Sequence, residues 1–317
     1  VEIGKPTRIE VYPASVQLTS PRQFRQLVVT AHYADGQMQD VTRVAEFVSS
    51  NPEVAEVQEA LVRPQGDGKS EVVVRAGGQE AKSTVEVSGQ KATESISFGY
   101  ETLAALSKQG CNAGACHGSP SGKGGFRLSL RAFDASLDQV TLIREDFGRR
   151  TNVPDPEESL LLLKPSMKVA HGGGRQIKKT DYTYGLLKNW IAEGCRLDPQ
   201  EQPKCVRIEV YPSAGRVLKQ PAHTQQLSVL AHFADGSIRD VTPLVVYTSS
   251  DTEVATVDEM GLVVGHDRGQ AAVIVRYLEF IESSFLTFVK DVEGYEWKEV
   301  TANNYVDKHV YAKLKQL

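Results

Sequence analysis

AHYADG at residues 31–36 returns almost unchanged as AHFADG at residues 231–236, and this repeat decides the fold class of the chain. Three further matches keep the same order and lie 199 or 200 residues apart: RIEVYP at 8–13 and 207–212, DVT at 40–42 and 240–242, and SSNPEVA at 49–55 with SSDTEVA at 249–255. Such regular spacing indicates one structural unit present in two copies, with other sequence between them.

Each copy has the pattern of short β-strands. LVVTAHY at 27–33 and LSVLAHF at 227–233 are rich in β-branched and apolar residues, and each is followed by the turn dipeptide Asp-Gly. Asp-Gly between alternating apolar runs is a strong hairpin signal. Each copy is therefore predicted to be an all-β sandwich of about 85 residues, the size of an immunoglobulin domain, although neither copy has the internal cysteine pair of antibody domains.

The repeated motifs IEVYP, ADG, DVT and SS(N/D)..VA resemble the bacterial immunoglobulin-like domain, group 2. The resemblance covers roughly residues 5–90 and 204–280. It implies a sandwich fold and a place in secreted or surface proteins, and it leaves the function open among spacer, docking platform and adhesion module. His32 and His232 occupy equivalent strand positions in the two copies. Two equivalent histidines allow a metal site, but a surface or cross-strand role is favoured because the copies lie in different domains and neither histidine has a partner ligand nearby.

Between the copies the sequence pattern changes to a helical one. Residues 101–107 have helical spacing and lead directly into GCNAGACHG at 110–118, and residues 184–192 place apolar side chains on one helical face before Gly194, a plausible C-cap. A helix that enters a Cys…Cys-His motif, followed by a terminal helix with a packed aromatic residue, is typical of a class I cytochrome c core.

Cys111, Cys116 and His117 form the motif that carries chemistry. Two thiols can add to the haem vinyl groups, and the following histidine can then bind iron; the usual spacing is Cys-x-x-Cys-His, whereas four residues intervene here. Two alternatives remain open from the residues alone. One is a Cys111–Cys116 disulfide, and the other is a zinc site formed with His171 and Cys195.

The stretch from GCNAGACHGSPSGKGGFRLSL through GRRTNVPDPEESLLLLKPSMKVAHGGGR to LLKNWIAEG resembles the cytochrome c-like domain of large planctomycete multidomain proteins. The resemblance implies covalently bound haem c in a domain at residues 93–200. The resulting fold class is a multidomain chain in which two all-β immunoglobulin-like sandwiches, at 1–92 and 201–290, flank a mainly α, class I-like cytochrome c domain. Residues 291–317 are assigned to the start of a following domain.

The resemblance also suggests roles around the iron. His117 would be the proximal ligand; His171 is the preferred distal ligand because the related proteins have His-x-Gly-Gly at this place, and Met167 or an open site is the alternative. Arg149 and Arg150 are possible contacts of the haem propionates, or a solvated surface pair.

Cys195 and Cys205 lie on either side of the boundary between the helical segment and the second copy, ten positions apart. In an oxidising compartment a disulfide between them is possible, and two free thiols are the alternative.

Composition limits the function further. The 317 residues carry a net charge of −4 with acidic and basic residues interspersed, so no basic field indicates nucleic acid, and no apolar run is long enough for a membrane span. The chain is expected to be a segment of a longer extracytoplasmic protein, periplasmic or secreted to the surface, with further domains of the same polypeptide and an unknown redox partner. The leading expectation is a haem module for electron transfer or redox sensing, not a catalyst on its own. The alternative is a binding or scaffold protein whose sandwiches mediate adhesion or glycan contact.

Overall fold

Ten strands between residues 8 and 87 form the first sandwich of the computed structural model, which describes residues 3–213, 215–290 and 292–316. The strands are β1 (Arg8–Tyr12), β2 (Ser15–Leu18), β3 (Arg25–Gln26), β4 (Val28–His32), β5 (Met38–Asp40), β6 (Glu46–Ser49), β7 (Ala55–Gln58), β8 (Leu61–Pro64), β9 (Gly68–Ala76) and β10 (Gln79–Val87). They form three sheets, in the orders β1-β4-β5, β2-β10-β9-β6 and β3-β8-β7.

Alternating burial explains the sandwich. Val72 and Val74 on β9 and Val85 and Val87 on β10 point into one core, while the residues between them face solvent more openly. The predicted hairpin after residue 33 is confirmed: β4 and β5 pair antiparallel, and the side chain of Asp35 accepts a hydrogen bond from the backbone N–H of Gln37 at 3.0 Å.

The second sandwich repeats this arrangement strand for strand. Its strands are β11 (Cys205–Tyr211), β12 (Arg216–Lys219), β13 (Thr224–Gln226), β14 (Ser228–Phe233), β15 (Ile238–Asp240), β16 (Val246–Ser249), β17 (Ala255–Val257), β18 (Leu262–Gly265), β19 (Gly269–Tyr277) and β20 (Phe280–Val289). Its sheets, β11-β14-β15, β12-β20-β19-β16 and β13-β18-β17, correspond to those of the first sandwich. A final helix follows at Tyr305–Gln316.

The segment between the sandwiches, here called the insert, contains short helices joined by turns. They are a π-helical turn (Phe98–Thr102), α1 (Leu103–Lys108), a 3₁₀ turn (Leu130–Ala132), α2 (Ala135–Ile143), 3₁₀ turns at Glu145–Gly148 and Pro156–Glu158, α3 (Leu160–Leu163) and α4 (Tyr182–Ala192); the final helix of the chain is α5. Phe98 and Trp190 stack in its core with ring centroids 5.6 Å apart. The predicted C-cap at Gly194 is confirmed, since its φ is 89° and the next N–H reaches back to the carbonyl of Trp190.

The prediction of a mainly α, class I-like cytochrome c domain at residues 93–200 is wrong. The four α-helices there have six, nine, four and eleven residues, and the rest is turn and irregular structure, so the described chain is dominated by β-sandwich. The helical patterns at 101–107 and 184–192 are real, but they cannot be extended across the segment between them. Gly110, with φ of 70°, ends α1 two residues after Lys108 and turns the chain away from the helical direction.

The two sandwiches pack directly against each other, and we call this contact the clasp. It is reciprocal: the backbone N–H of Gln26 donates to Asp240 at 2.7 Å, and the backbone N–H of Gln226 donates to Asp40. Tyr12 and Tyr211, which are equivalent residues of the repeat, stack on each other with ring centroids 3.9 Å apart and planes 3° from parallel. Equivalent residues that meet each other in this way show that the two copies are related by an approximate twofold axis.

The insert is fixed to both sandwiches. Tyr100 is its main contact with the second sandwich: its ring packs edge-on against Phe233 at 5.1 Å, its hydroxyl accepts from the backbone N–H of Cys205, and its carbonyl accepts from the hydroxyl of Tyr277.

Charged side chains extend this attachment. Arg22 of the first sandwich forms an ion pair with Glu101 of the insert, and Arg239 of the second sandwich forms one with Glu94 at 3.2 Å. Nowhere in the described ranges is there a helix long and apolar enough to cross a membrane.

Candidate functional site

A cavity of about 340 Å³ opens in the insert between the Cys111–His117 loop and the glycine-rich segment after His171. Its apolar lining comes from Phe126, Leu160, Leu161 and Pro165 and its polar lining from the following side chains: Cys111, Cys116, His117, Lys123, Arg149, Arg150, Lys164, His171 and Gln176. The structure thus brings together most of the residues singled out in the sequence. An apolar wall with a few converging polar groups is the usual form of a small-ligand site.

A tight loop positions the two cysteines. The backbone N–H of His117 donates to the carbonyl of Cys111 at 3.0 Å, which closes the loop on itself. Gly118 makes this closure possible, because a Cβ at this position would lie 2.0 Å from the carbonyl oxygen of Asn112. Asn112 is itself buried and donates through its side chain to Ser107 at 2.8 Å, which ties the loop to α1.

The two histidines face each other across the cavity. The Nδ1 of His117 lies 3.0 Å from the carbonyl oxygen of Phe126, and the Nδ1 of His171 lies 2.7 Å from that of Gly174. Carbonyl oxygens only accept, so both rings carry hydrogen on Nδ1, and a neutral ring then has its lone pair on Nε2. The ring centroids are 6.3 Å apart with 22° between the planes. Burial lowers the pKa of His117 and favours the neutral form.

The thiol of Cys111 has low reactivity. Burial, reinforced by the neighbouring Cys116, raises its pKa to about 12, so the thiolate is scarce at neutral pH. This cysteine is therefore a poor nucleophile.

Arg150 and Arg149 behave differently from each other. The guanidinium of Arg150 is buried and donates to the backbone carbonyls of Thr141 and Gly125 and to the carboxylate of Asp146, while it lies over the ring of Phe126. It therefore holds the cavity wall together. Arg149 is largely exposed and forms a long ion pair with Asp146 at 3.7 Å, which leaves it at the rim of the cavity.

The structure separates the two residues considered as alternative distal ligands. His171 lines the cavity, whereas Met167 has φ of 64°, is 44% exposed and is not part of the lining. Cys195 and Cys205 are both free thiols, so the disulfide considered between them is not formed. The thiol of Cys205 instead lies 3.6 Å from the carbonyl oxygen of Arg207.

Of the surface or cross-strand role expected for the two strand histidines, the cross-strand one is confirmed. His32 is the cross-strand neighbour of Arg8 and lies 3.3 Å from Glu10, and the equivalent His232 lies 3.1 Å from Glu209. Each belongs to a small cluster of charged side chains on its own sandwich and is itself largely buried.

Little in the sequence predicts the clasp. Asp40 and Asp240 are buried, and burial raises the pKa of both carboxyls even though backbone N–H groups hydrogen-bond to them. The motif DVT, which begins with each of these aspartates, is repeated in the two copies. A single sequence does not show that the two copies pack against each other.

Comparison with known families identifies one part of the chain. Residues 207–276 match the bacterial Ig-like domain (group 2) family, in agreement with the resemblance inferred for the second copy. The sequence matches no curated protein.

Solved structures with some similarity include the S-layer protein SbsC, domains 5–6, at 11% identity over 90% of this chain and 99% of that one, with a TM-score of 0.35. Domains 4–9 of SbsC give 11% identity, 90% and 31% coverage and a TM-score of 0.34. The Yersinia pseudotuberculosis adhesin InvE gives 8% identity, 88% and 58% coverage and a TM-score of 0.18. These TM-scores are too low to carry an argument about fold or function.

These findings contradict the expected planctomycete cytochrome c-like domain and its haem c cofactor. Among the residues that the structure describes, no three His, Cys, Asp or Glu side chains converge as they would around a metal ion, which also argues against the zinc alternative. The family match lies in the second sandwich and does not reach the insert. What the comparisons show for this chain is a similarity of residues 207–276 to the bacterial Ig-like domain (group 2).

Proposed function

We propose that this chain is a rigid scaffold or binding segment of an extracytoplasmic protein, in which two clasped Ig-like sandwiches hold the insert and its cavity in a fixed position. The group 2 Ig-like match supports a cell-surface or other extracytoplasmic location, and a periplasmic one is a narrower version of the same proposal. The division into sandwiches at 1–92 and 201–290, an insert at 93–200 and a following unit from 291 belongs to this proposal.

The reciprocal clasp is the observation that carries the proposal. Independent domains joined by a linker share few buried contacts and move relative to one another. Here the stacked pair Tyr12 and Tyr211 lies between the sandwiches, and the hydroxyl of Tyr12 donates to Glu209 at 2.5 Å. The stacking of an aromatic pair contributes about 0.5–1.5 kcal/mol beyond area burial, and a hydrogen bond to a charged group about 1.5–3 kcal/mol.

The insert adds a second brace. Lys108 extends from the end of α1 and donates to the backbone carbonyls of Val245 and Glu259 of the second sandwich, at 2.9 and 2.6 Å. Together with the ion pairs of Arg22 and Arg239 described above, this contact attaches the insert on two sides. The arrangement resists bending at both junctions, as a scaffold requires.

Small-angle X-ray scattering of the whole chain tests this proposal. A single conformation with the clasp closed should fit the profile of the wild type, and replacing both stacked tyrosines, Tyr12→Ala with Tyr211→Ala, should increase the radius of gyration. Tyr295→Ala, at a tyrosine that is 65% exposed, is the matched control and should leave the profile unchanged. A wild-type profile that requires an ensemble of separated sandwiches would refute the scaffold.

The cavity favours a second candidate function, the binding of a small ligand in the insert. We propose that Cys111, Cys116, His117 and His171 contact this ligand, with Arg149 at the rim, because these side chains converge on one cavity with apolar walls.

Native mass spectrometry of chain secreted from a bacterial host reports any retained mass without assuming its identity. Wild type and Met167→Ala should retain the same extra mass, and His171→Ala should lose it. If the wild type shows the mass of its sequence alone, the binding proposal fails.

A further inference from the structure

We propose that the clasp is a pH-sensitive joint: the two sandwiches close more tightly on acidification and separate more readily as the pH rises, because Asp40 and Asp240 are enclosed between them. This regulation rests on the proposed scaffold, since it concerns the same contact. It assigns a role to two side chains that take no part in the cavity.

The geometry encloses both carboxylates when the sandwiches meet. Asp40 accepts from the backbone N–H of Gln226 and from that of Thr42 at 2.7 Å, and Asp240 accepts from the backbone N–H groups of Gln26 and Thr242, the latter at 2.9 Å. Each carboxylate thus has one backbone donor from its own sandwich and one from the opposite sandwich, and Asp40 also accepts from the side-chain amide of Gln225 of the opposite sandwich at 3.4 Å. Separation of the sandwiches therefore removes the donors of the opposite sandwich from each carboxylate and exposes it to water.

The cations of the interface have other partners. Arg216 donates to the hydroxyls of Thr30 and Tyr211, both at 2.9 Å, and Arg25 donates to the carbonyl of Ile238 at 3.3 Å. Among the described residues, neither aspartate has a direct ion pair with these arginines. Each arginine acts only through its longer-range field, which favours the ionised aspartate but does not replace the water lost on closure.

Burial outweighs these favourable contributions and raises the pKa of both aspartates in the closed chain above the ordinary value of 3.8. The closed form therefore binds protons more tightly than the open form. The contribution to closure is complete below the ordinary aspartate pKa and is lost as the pH rises through the raised pKa. Each unit of difference in pKa changes the closing equilibrium about tenfold per carboxyl.

Other titratable groups face the clasp and must be separated from this effect. Glu209 has a lowered pKa because Tyr12 donates to it, and the pKa values of His32 and His232 are lowered by burial, so all three oppose closure on acidification. The remaining ionisable or charged groups that act on the interface are Arg8, Glu10, Tyr12, Arg25, Arg207, Tyr211, Arg216, Tyr182 and Tyr247. A comparison between the wild type and a variant without the two aspartates cancels these contributions.

Hydrogen exchange of the whole chain, measured from pH 4, near the ordinary aspartate pKa of 3.8, up to pH 8 and corrected for the chemical exchange rate, tests the joint at the backbone N–H groups that donate to the two aspartates. The ratio of Gln26 and Gln226 amide protection in the wild type to that in Asp40→Asn with Asp240→Asn should fall by tenfold or more as the pH rises, because asparagine still accepts a hydrogen bond but does not titrate. In the double variant itself protection should not fall, since Glu209, His32 and His232 favour closure as the pH rises. The control Asp267→Asn, at an exposed aspartate of the second sandwich, should behave as the wild type.

The outcomes separate the joint from the scaffold. An equal pH dependence of protection in the wild type and in the double variant, with protection high in both, overturns the joint and leaves the scaffold intact. Absence of protection at every pH overturns both. If the double variant does not fold, the two single variants serve in its place, and each should lose part of the pH dependence.

Discussion

The substitution Gly118→Ala should open the loop that holds Cys111, Cys116 and His117. The added Cβ would lie 2.0 Å from the carbonyl oxygen of Asn112 and 3.0 Å from that of Ala113, and both neighbours are backbone atoms that cannot rotate away. Relief of this overlap requires the loop to move by about 1 Å or more, which breaks hydrogen bonds such as those from Gly118 to Ala113 and from His117 to Cys111.

The magnitude follows from these contacts. Two lost backbone hydrogen bonds at about 1 kcal/mol each, with about 1–3 kcal/mol of overpacking, give an expected loss of about 3–5 kcal/mol in the free energy of unfolding. Gly114→Ala is the matched control in the same loop, because its Cβ would lie 3.8 Å from Leu130, an ordinary contact. Both variants gain the same small amount, about 0.4–1 kcal/mol, from the less flexible unfolded chain, so their difference reports the overlap alone.

Urea unfolding followed by tryptophan fluorescence measures this difference, since Trp190 is fully buried in the core of the insert. Gly118→Ala should unfold at a clearly lower urea concentration than Gly114→Ala. Equal midpoints for the two variants would refute the reasoning, because they would show that the loop accommodates a Cβ against the carbonyl of Asn112 without loss.

Three other predictions concern the contacts between the units and the thiols. Burial lowers the pKa of Lys108 from 10.5 to about 8, so the folded chain binds this proton less tightly than the unfolded chain, and this group should add about 1–3 kcal/mol of stability between pH 8 and pH 10.5. Because Cys111 and Tyr12 have raised pKa values and act in the opposite sense, thermal unfolding should show the effect as a stability difference between the wild type and Lys108→Met that grows in favour of the wild type with pH. Tyr12→Phe removes the hydrogen bond to Glu209 but keeps the stacked ring, and urea unfolding should show a loss of about 1–2 kcal/mol in the free energy of unfolding. No change would mean that water replaces this hydrogen bond without loss of stability. Cys111, with its pKa raised to about 12, should be alkylated at pH 8 at least tenfold more slowly in the folded chain than in urea, as read by peptide mass spectrometry; equal rates would contradict its burial.

The two sandwiches were predictable from sequence because their signals are local. The alternation in residues 27–33 and the Asp-Gly turn at 35–36 act over a few residues, and the repetition of the same pattern two hundred residues later removes most of the ambiguity. The helices at the ends of the insert were likewise visible in their apolar spacing. Strand pairing then followed the expected hairpins, as the antiparallel register of β4 and β5 shows.

The insert was not predictable in the same way. A helical pattern at each end and a Cys…Cys-His motif between them suggested a mainly α domain, but the character of the segment depends on turns such as the one at Gly110, which periodicity does not detect. The convergence of His117 and His171 on one cavity was expected, whereas the commitment of Arg150 to backbone carbonyls depends on loops folded back in three dimensions. A motif names candidate residues, but their environment decides their chemistry.

The clasp could not be predicted from the sequence, for a different reason. In the sequence, each half of the clasp looks like the ordinary end of a strand. Asp40 acquires its role only because the second copy of its own unit packs opposite it. The arginines of the contact show how the copies have diverged: Arg25 corresponds in the repeat to Gln225, so the twofold relation holds for the backbone contacts and not for the charges.

The stacked tyrosines have a consequence for assembly. A contact in which the same surface serves both partners is complete once two units have met, because neither retains a copy of that surface for a third. Because Tyr211 stacks on Tyr12, the second repeat of this chain already occupies the surface through which the first repeat could bind another copy. Any longer array containing this chain must therefore grow through other faces, and the clasped pair enters it as a single building block.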